Sequence, residues 1–96
     1  MRNSILMSNG HMLRPVMYRP ILGVNKTSEL RQRRAGLLPP PIPVGPRAKA
    51  LPEHEVEIIR SARIAGVNDE ELREIVKRLV AARKSDWQEM LQAVGA

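Results

Sequence analysis

The 96-residue sequence contains no cysteine and no phenylalanine, and it has one tyrosine and one tryptophan. Without cysteine, disulfides and thiolate metal sites are excluded. Because aromatic side chains are so scarce, the core has to be built from Leu, Ile, Val, Met and Ala, which favours packed helices over a large sheet. A chain of this length is expected to form one small domain with a modest core.

Long hydrophobic runs are missing as well. No apolar run approaches the roughly 18 residues that a membrane-spanning helix needs. The apolar stretch Ile5-Leu6-Met7 is too short for the core of a signal peptide. We therefore expect a cytoplasmic protein with no membrane partner.

Groups that support catalysis are scarce too. The two histidines, His11 and His54, have no ligand partner at a spacing that suits a metal. Glu53, Glu55 and Glu57 alternate along a predicted helix, where negative charge at the helix start is favourable by itself. No glycine-rich phosphate loop is present. The sequence thus predicts no enzyme, no catalytic residue, no metal or other cofactor and no small-molecule substrate.

The charge of the chain is unevenly distributed. Residues 1–51 contain nine lysines and arginines against one acid, a net charge of +8, and residues 52–96 contain seven against nine, a net charge of −2. A basic front half beside a balanced back half suggests that a polyanion such as nucleic acid is bound by the front half alone. Charge alone would equally fit a solvated basic surface.

Two short helices are predicted in the basic half. The first spans Pro15–Leu22, and Pro20 keeps it short because proline lacks a backbone N–H and clashes with the preceding turn. The second spans Lys26–Ala35. Asn25 suits its N-cap, since the Asn25 side chain can accept a hydrogen bond from the backbone N–H of Ser28.

The second predicted helix is mostly polar. Its two apolar residues, Leu30 and Ala35, form a thin stripe that we expect to face the core. The other side chains are free to face a partner. They include Lys26, Thr27, Ser28, Arg31, Gln32 and Arg34.

A proline-rich break follows this helix. Three consecutive prolines at 39–41 prevent helix formation and favour an extended backbone. Beyond them, two short segments at 42–44 and 48–51 flank Gly45-Pro46-Arg47. This pattern predicts a small β-hairpin with a basic tip.

Three more helices are predicted in the back half. Pro52 begins the third and Gly66 ends it. Asn68 caps a fourth, and Ser85 with Gln88 caps a fifth, so that the last two helices form a hairpin. One apolar face continues over both of them and consists of Leu72, Ile75, Val76, Leu79, Val80, Trp87, Met90 and Leu91. Such a face packs back on the winged domain, packs within its own hairpin, or contacts a partner.

This order of elements predicts a mainly α fold, a small winged helix-turn-helix. A helix that presents a polar face after a tight turn can enter the major groove of DNA. A basic hairpin behind it can hold the backbone or the minor groove as a wing. The proline break would let the two elements point the same way.

Between Ile21 and Glu57, glycines, prolines and basic residues follow a characteristic spacing. They are Gly23-Val24-Asn25-Lys26-Thr27-Ser28, Arg31, Gly36, Pro39-x-Pro41, Val44-Gly45-Pro46-Arg47 and Pro52-Glu53-x-Glu55-Val56. In this spacing the stretch resembles the AlpA family of small phage and prophage transcriptional regulators, winged helix-turn-helix proteins related to MerR-type domains and phage excisionases. The chain differs where Glu29 and Arg33 stand in place of apolar residues, and Leu30 in place of an aromatic one.

The resemblance implies a sequence-specific transcriptional regulator that binds double-stranded DNA. The implied DNA contacts are Lys26, Thr27, Ser28, Arg31, Gln32 and Arg34 in the recognition helix, with Arg47 and Lys49 in the wing. Arg31 can donate two hydrogen bonds to guanine, and Gln32 can pair with adenine in the same two-point manner. Arg34, Arg47 and Lys49 suit the phosphate backbone.

Three segments are therefore expected: a disordered arm at residues 1–13, a DNA-binding domain at 14–66 and a C-terminal helical hairpin at 67–96. Two alternative functions stay open. An excisionase-like architectural protein needs the same DNA-binding fold, whereas a protein–protein adaptor would have only a non-specific basic surface whose binding weakens steeply with salt. The partner of the C-terminal face is either a second copy, giving a homodimer, or a phage or host protein.

Overall fold

Four helices and three strands make up residues 10–95, the part of the chain that the computed structural model describes. The helices are α1 (Pro15–Leu22), α2 (Lys26–Arg34), α3 (Glu53–Ile64) and α4 (Asp69–Ala93). The strands are β1 (Met12–Leu13), β2 (Ile42–Gly45) and β3 (Ala48–Pro52), and they form one antiparallel sheet in the order β1-β3-β2. The predicted mainly helical fold with a small hairpin is confirmed.

Local capping residues fix the bounds of α1 and α2. Asn25 accepts a hydrogen bond from the backbone N–H of Ser28 at 2.8 Å, and the Ser28 hydroxyl accepts one from the Asn25 N–H at 2.9 Å. This reciprocal arrangement is a capping box, and it confirms the predicted start of α2. Gly23 (φ 68°) and Gly36 (φ 79°) follow the two helices in the left-handed conformation that glycine adopts most readily.

The hairpin formed by β2 and β3 turns at Pro46-Arg47, as predicted. Strand β1 was not predicted. Met12 and Leu13 pair with Pro52 and Leu51, so the expectation of a disordered arm is wrong at these two residues. A two-residue strand is too short to show periodicity in a sequence, and it forms because β3 offers a free edge. Residues 1–9 of the expected arm lie outside the described residues.

The predicted C-terminal helical hairpin is wrong, because α4 continues without a break over 25 residues. Asn68 caps α4 as predicted, accepting from the backbone N–H of Glu71 at 2.8 Å. Ser85, the predicted second cap, lies inside α4 and donates its hydroxyl to the carbonyl of Ala82 at 3.2 Å. No glycine or proline stands near Ser85 to end the helix. Despite the length of α4, no helix of residues 10–95 is apolar enough to cross a membrane.

Two apolar clusters form the core. The larger one consists of Leu37, Leu38, Ile59, Ala62, Leu72, Val76 and Leu79. The smaller one consists of Tyr18, Leu51 and Val56. Leu22, at the end of α1, packs against both. The chain that enters and leaves α2 is therefore held against α3 and α4, which positions α2 on the outside of the molecule.

A buried ion pair joins α4 to α3. Glu55 is fully buried, and its two carboxylate oxygens accept from Nε and Nη2 of Arg83 at 2.7 and 2.6 Å. The same Nη2 donates to the carbonyl of Pro40 at 3.1 Å. Because a guanidinium group matches a carboxylate at two points, this contact fixes α4, α3 and the proline segment relative to one another.

Candidate nucleic-acid interface

The two faces of α2 differ in burial. One face, spaced at i, i+3, i+4 and i+7, is exposed and consists of Thr27, Leu30, Arg31 and Arg34. We call these four residues the exposed stripe. On the opposite face Glu29 is only 3% exposed, whereas Leu30 is 43% exposed. The expectation that Leu30 and Ala35 face the core is therefore wrong, since both are exposed and the core-facing residue of α2 is an acid.

A buried polar cluster holds the inner face of α2. The Tyr18 hydroxyl and Nη2 of Arg33 both donate to Oε2 of Glu29. Nε of Arg19 donates to Oε1 of the same carboxylate at 2.7 Å. We call these four residues the Glu29 cluster. It replaces the apolar contact that the resemblance implies at Glu29 and Arg33, and it ties α2 to α1.

The pKa values of Glu29 and Tyr18 are shifted in opposite directions. Burial by itself would raise the pKa of Glu29, but the hydrogen bonds from Tyr18 and Arg19 and the positive charges of Arg33 and Arg19 outweigh it and hold the pKa below the ordinary 4.5. Burial, followed by the hydrogen bond to Glu29 and its negative charge, raises the pKa of Tyr18 to about 12. At neutral pH the carboxylate is therefore ionised and the phenol protonated, which is the state these hydrogen bonds require.

The C-terminal end of α2 is fixed from α4. Nε of Arg73 donates to the carbonyl of Ala35 at 2.7 Å and so satisfies a backbone acceptor at the helix end. The Arg73 side chain lies 3.5 Å from where a Cβ on Gly36 would stand. Together with the capping box and the Glu29 cluster, this contact fixes both the position of α2 and its rotation about its own axis.

A basic groove lies between the start of α1, the start of α2 and the hairpin. Its volume is about 690 Å³, and Arg14, Lys26, Arg47 and Lys49 line it together with prolines and small residues. No acidic side chain from residues 10–95 lines it. A smaller groove of about 290 Å³ adjoins it and shares Lys26 and Lys49 with it. Leu30 of the exposed stripe lines this smaller groove, together with Glu29. The basic groove is therefore continuous with the exposed stripe at Leu30.

Arg14 is a member of this surface that the sequence did not reveal. It stands between β1 and α1 and forms part of the basic groove. In the sequence it belongs to no periodic segment, and its place depends on the pairing of β1 with β3. Only the tertiary structure brings Arg14 to the side of Arg47 and Lys49.

Six of the eight residues predicted to contact DNA are exposed: Lys26, Thr27, Arg31, Arg34, Arg47 and Lys49. The other two have structural contacts. The Ser28 hydroxyl takes part in the capping box and also donates to the Asn25 carbonyl at 3.3 Å. Gln32 is half-buried, and its Oε1 lies 3.5 Å from Nη2 of Arg63. The Ser28 hydroxyl thus caps the start of α2, and Gln32 lies beside Arg63 and not on the exposed stripe. A DNA contact of either residue stays a prediction.

The apolar face predicted for a protein partner is divided between the core and the surface. Its first five residues are buried in the larger cluster or packed against it: Leu72, Ile75, Val76, Leu79 and Val80. For these the expectation of a partner surface is wrong, and the alternative that they pack back on the domain is correct. Trp87 and Met90 are 58% and 54% exposed, and Leu91 is half-buried. A partner at these three residues stays a prediction.

Comparisons with protein-family models, with curated proteins and with solved structures find no match to this chain. The function is therefore inferred from the geometry of the surface and from the resemblance carried by residues 21–57. The relevant geometry is a rigidly held helix with an exposed stripe that contains two arginines, beside a basic groove that no acid of residues 10–95 lines.

Proposed function

We propose that this protein is a sequence-specific DNA-binding transcriptional regulator of the AlpA type, with a winged helix-turn-helix in which α2 is the recognition helix and the β2–β3 hairpin is the wing. The observation that carries the proposal is the continuity of the exposed stripe with the basic groove. A recognition helix needs a fixed orientation, and its neighbour needs positive charge to hold the phosphate backbone.

The exposed stripe supplies the groups that distinguish base pairs. Arg31 lies in the middle of the stripe, where its guanidinium group can donate to O6 and N7 of a guanine in the major groove. Thr27 lies in the first turn of α2, where free backbone N–H groups and the helix dipole favour a phosphate. Arg34, in the last turn, suits a phosphate farther along the groove.

The basic groove supplies sequence-independent affinity. Arg14, Lys26, Arg47 and Lys49 come from three different parts of the chain, and no acid among residues 10–95 opposes them there. Each side chain that neutralises a phosphate releases condensed counterions, which makes binding depend on salt. The groove would thus set the register of α2 on the duplex, while the stripe distinguishes the sequence.

The proposed function is tested by selection from a library of randomised duplexes at physiological salt. A sequence-specific regulator enriches one sequence, whereas a protein that binds only phosphates enriches none. The second candidate function, a protein–protein adaptor, is favoured by the exposure of Trp87 and Met90. It predicts the second outcome, because only non-specific charge contacts to DNA would then exist.

The salt dependence of binding measures the contribution of the basic groove. We expect the double variant Arg47→Ala/Lys49→Ala to reduce the slope of log K against log salt by about 2, since each phosphate contact contributes about 0.9. The loss of affinity should be the same for the selected duplex and for a scrambled one. The measurement is a titration at four or more salt concentrations.

A matched variant controls for the change in net charge. Lys77→Ala/Arg78→Ala removes the same two positive charges from exposed positions on α4. It should leave the slope nearly unchanged. If both double variants reduced the slope equally, the hairpin would contribute only through net charge, and its role as a wing would be wrong.

A further inference from the structure

Leu30 occupies an unusual place for a leucine. It is 43% exposed on a helix whose other exposed residues are polar or basic. Thr27, Arg31 and Arg34 surround it in the exposed stripe, and the adjoining groove places it beside Lys26 and Lys49. An isolated surface leucine is ordinary in itself. Here, however, it lies in the middle of the surface assigned to DNA.

The rotation of α2 is fixed, so Leu30 cannot turn inward. Glu29, its neighbour on the inner face, is held by Tyr18, Arg19 and Arg33. Arg73 holds the end of the same helix through the Ala35 carbonyl. Any duplex that accepts Arg31 in its major groove therefore meets Leu30 one residue earlier on the same face.

We propose that Leu30 determines part of the base specificity by contacting the 5-methyl group of a thymine. This inference depends on the proposed function. The edges of the base pairs in the major groove carry hydrogen-bond donors and acceptors, and the thymine methyl is the apolar group among them. Against any other base edge, Leu30 would remove water from a polar group without replacing the lost hydrogen bond.

The thymine methyl can be removed from the DNA without changing its base pairing. The probe is the duplex enriched by selection, in which each thymine in turn is replaced by deoxyuridine. At one position we expect wild-type affinity to fall about fourfold, the effect of one buried methyl group. Leu30→Ala should bind the thymine and deoxyuridine forms of that duplex equally.

A control variant separates this contact from a general effect on the protein. Ile64→Ala removes an aliphatic side chain that is 71% exposed on α3, outside the exposed stripe and the basic groove. It should keep the fourfold difference between the two duplexes. Because Leu30 is outside both core clusters, Leu30→Ala should have a wild-type circular dichroism spectrum and thermal midpoint.

The outcomes distinguish the inference from the function on which it depends. Wild-type binding that is insensitive to deoxyuridine at every position would overturn the inference and leave the proposed function standing. The same holds if the fourfold effect persists in Leu30→Ala. Failure of the selection to enrich any sequence would overturn both.

Discussion

Glu29→Ala is expected to lower the free energy of unfolding by about 3–5 kcal/mol, because it removes a buried carboxylate and leaves the buried hydroxyl of Tyr18 and the partly buried guanidinium groups of Arg19 and Arg33 without their acceptor. Domains of this size have about 5–15 kcal/mol of stability in total, so the variant would be close to unfolding. Urea denaturation followed by circular dichroism measures the loss. Glu57→Ala, which removes a half-exposed acid of α3, should cost less than about 1 kcal/mol.

The triple variant Tyr18→Phe/Glu29→Leu/Arg33→Leu shows whether Glu29→Ala is destabilised by hydrogen-bond donors left without an acceptor or by the loss of the ionic contacts themselves. It replaces three of the four polar groups with apolar ones, and such replacements are often neutral or stabilising. The fourth, Arg19, is 31% exposed and can exchange its lost acceptor for water. We expect it to be more stable than Glu29→Ala alone. If the triple variant were the less stable of the two, the cost of Glu29→Ala would not come from unpaired buried donors.

The pH dependence of stability follows from the same cluster. Since the pKa of Glu29 in the folded protein lies below the ordinary 4.5, its ionised form contributes stability above pH 4.5 that is lost as the pH falls through the folded-state pKa. The difference in stability between wild type and Glu29→Gln should therefore be constant near neutral pH and shrink in acid. A constant difference down to pH 2 would contradict this assignment.

The pKa of Tyr18 tests the contacts of the Glu29 cluster at alkaline pH. It is the single tyrosine of the chain, so absorbance at the wavelength of tyrosinate follows Tyr18 alone. We expect a midpoint at about 12 in the wild type and a lower one in Glu29→Gln, where burial still raises the pKa of Tyr18 but the negative charge of Glu29 no longer does. Because the folded pKa is the higher one, this contribution to stability is present below pH 10 and is lost as the pH rises to about 12.

Arg83→Ala is expected to be the second severe variant, with a loss of about 3–5 kcal/mol. It leaves the fully buried carboxylate of Glu55 unpaired and removes the hydrogen bond to Pro40. Arg78→Ala, an exposed arginine of the same helix, should change stability by no more than about 0.5 kcal/mol. Both are measured by urea denaturation at neutral pH.

A double-mutant cycle tests whether the stability lost in Arg83→Ala comes from the interaction between Arg83 and Glu55. The variant Glu55→Ala/Arg83→Ala should be destabilised by less than the sum of the two single variants, because neither buried charge is then left alone. Strict additivity would mean that Arg83 and Glu55 stabilise the domain independently. The ion pair would then not be what joins α4 to α3.

Elements with local capping residues were predictable from the sequence. Asn25 and the glycines that follow α1 and α2 fixed those two helices, and the spacing around Pro46-Arg47 fixed the hairpin. The continuity of α4 was not predictable, because Ser85 suits an N-cap and a helix interior alike, and only the absence of a breaker distinguishes the two. β1 depends entirely on the edge of a distant strand.

The prediction that Leu30 and Ala35 face the core is the error with the largest consequence, because it gives α2 the wrong rotation about its axis. With only Leu30 and Ala35 as apolar residues, its sequence contains almost no information about which face is buried. Which face of α2 is buried depends on Tyr18 and Arg19 of α1, because their hydrogen bonds to Glu29 make it the inner residue. Nevertheless most of the predicted DNA-contacting residues are exposed, since lysine and arginine remain at the surface in either orientation.

We propose that α2 distinguishes one DNA sequence from others through its exposed stripe. The direct test is fluorescence anisotropy with the selected duplex, in an excess of scrambled competitor at physiological salt. We expect binding that survives the competitor. Arg31→Ala should lose about 1–3 kcal/mol of binding free energy on the selected duplex, far more than it loses on the scrambled one. Arg78→Ala should keep the wild-type preference. Binding that the competitor abolishes, or an Arg31→Ala variant weakened equally on both duplexes, would contradict the claim.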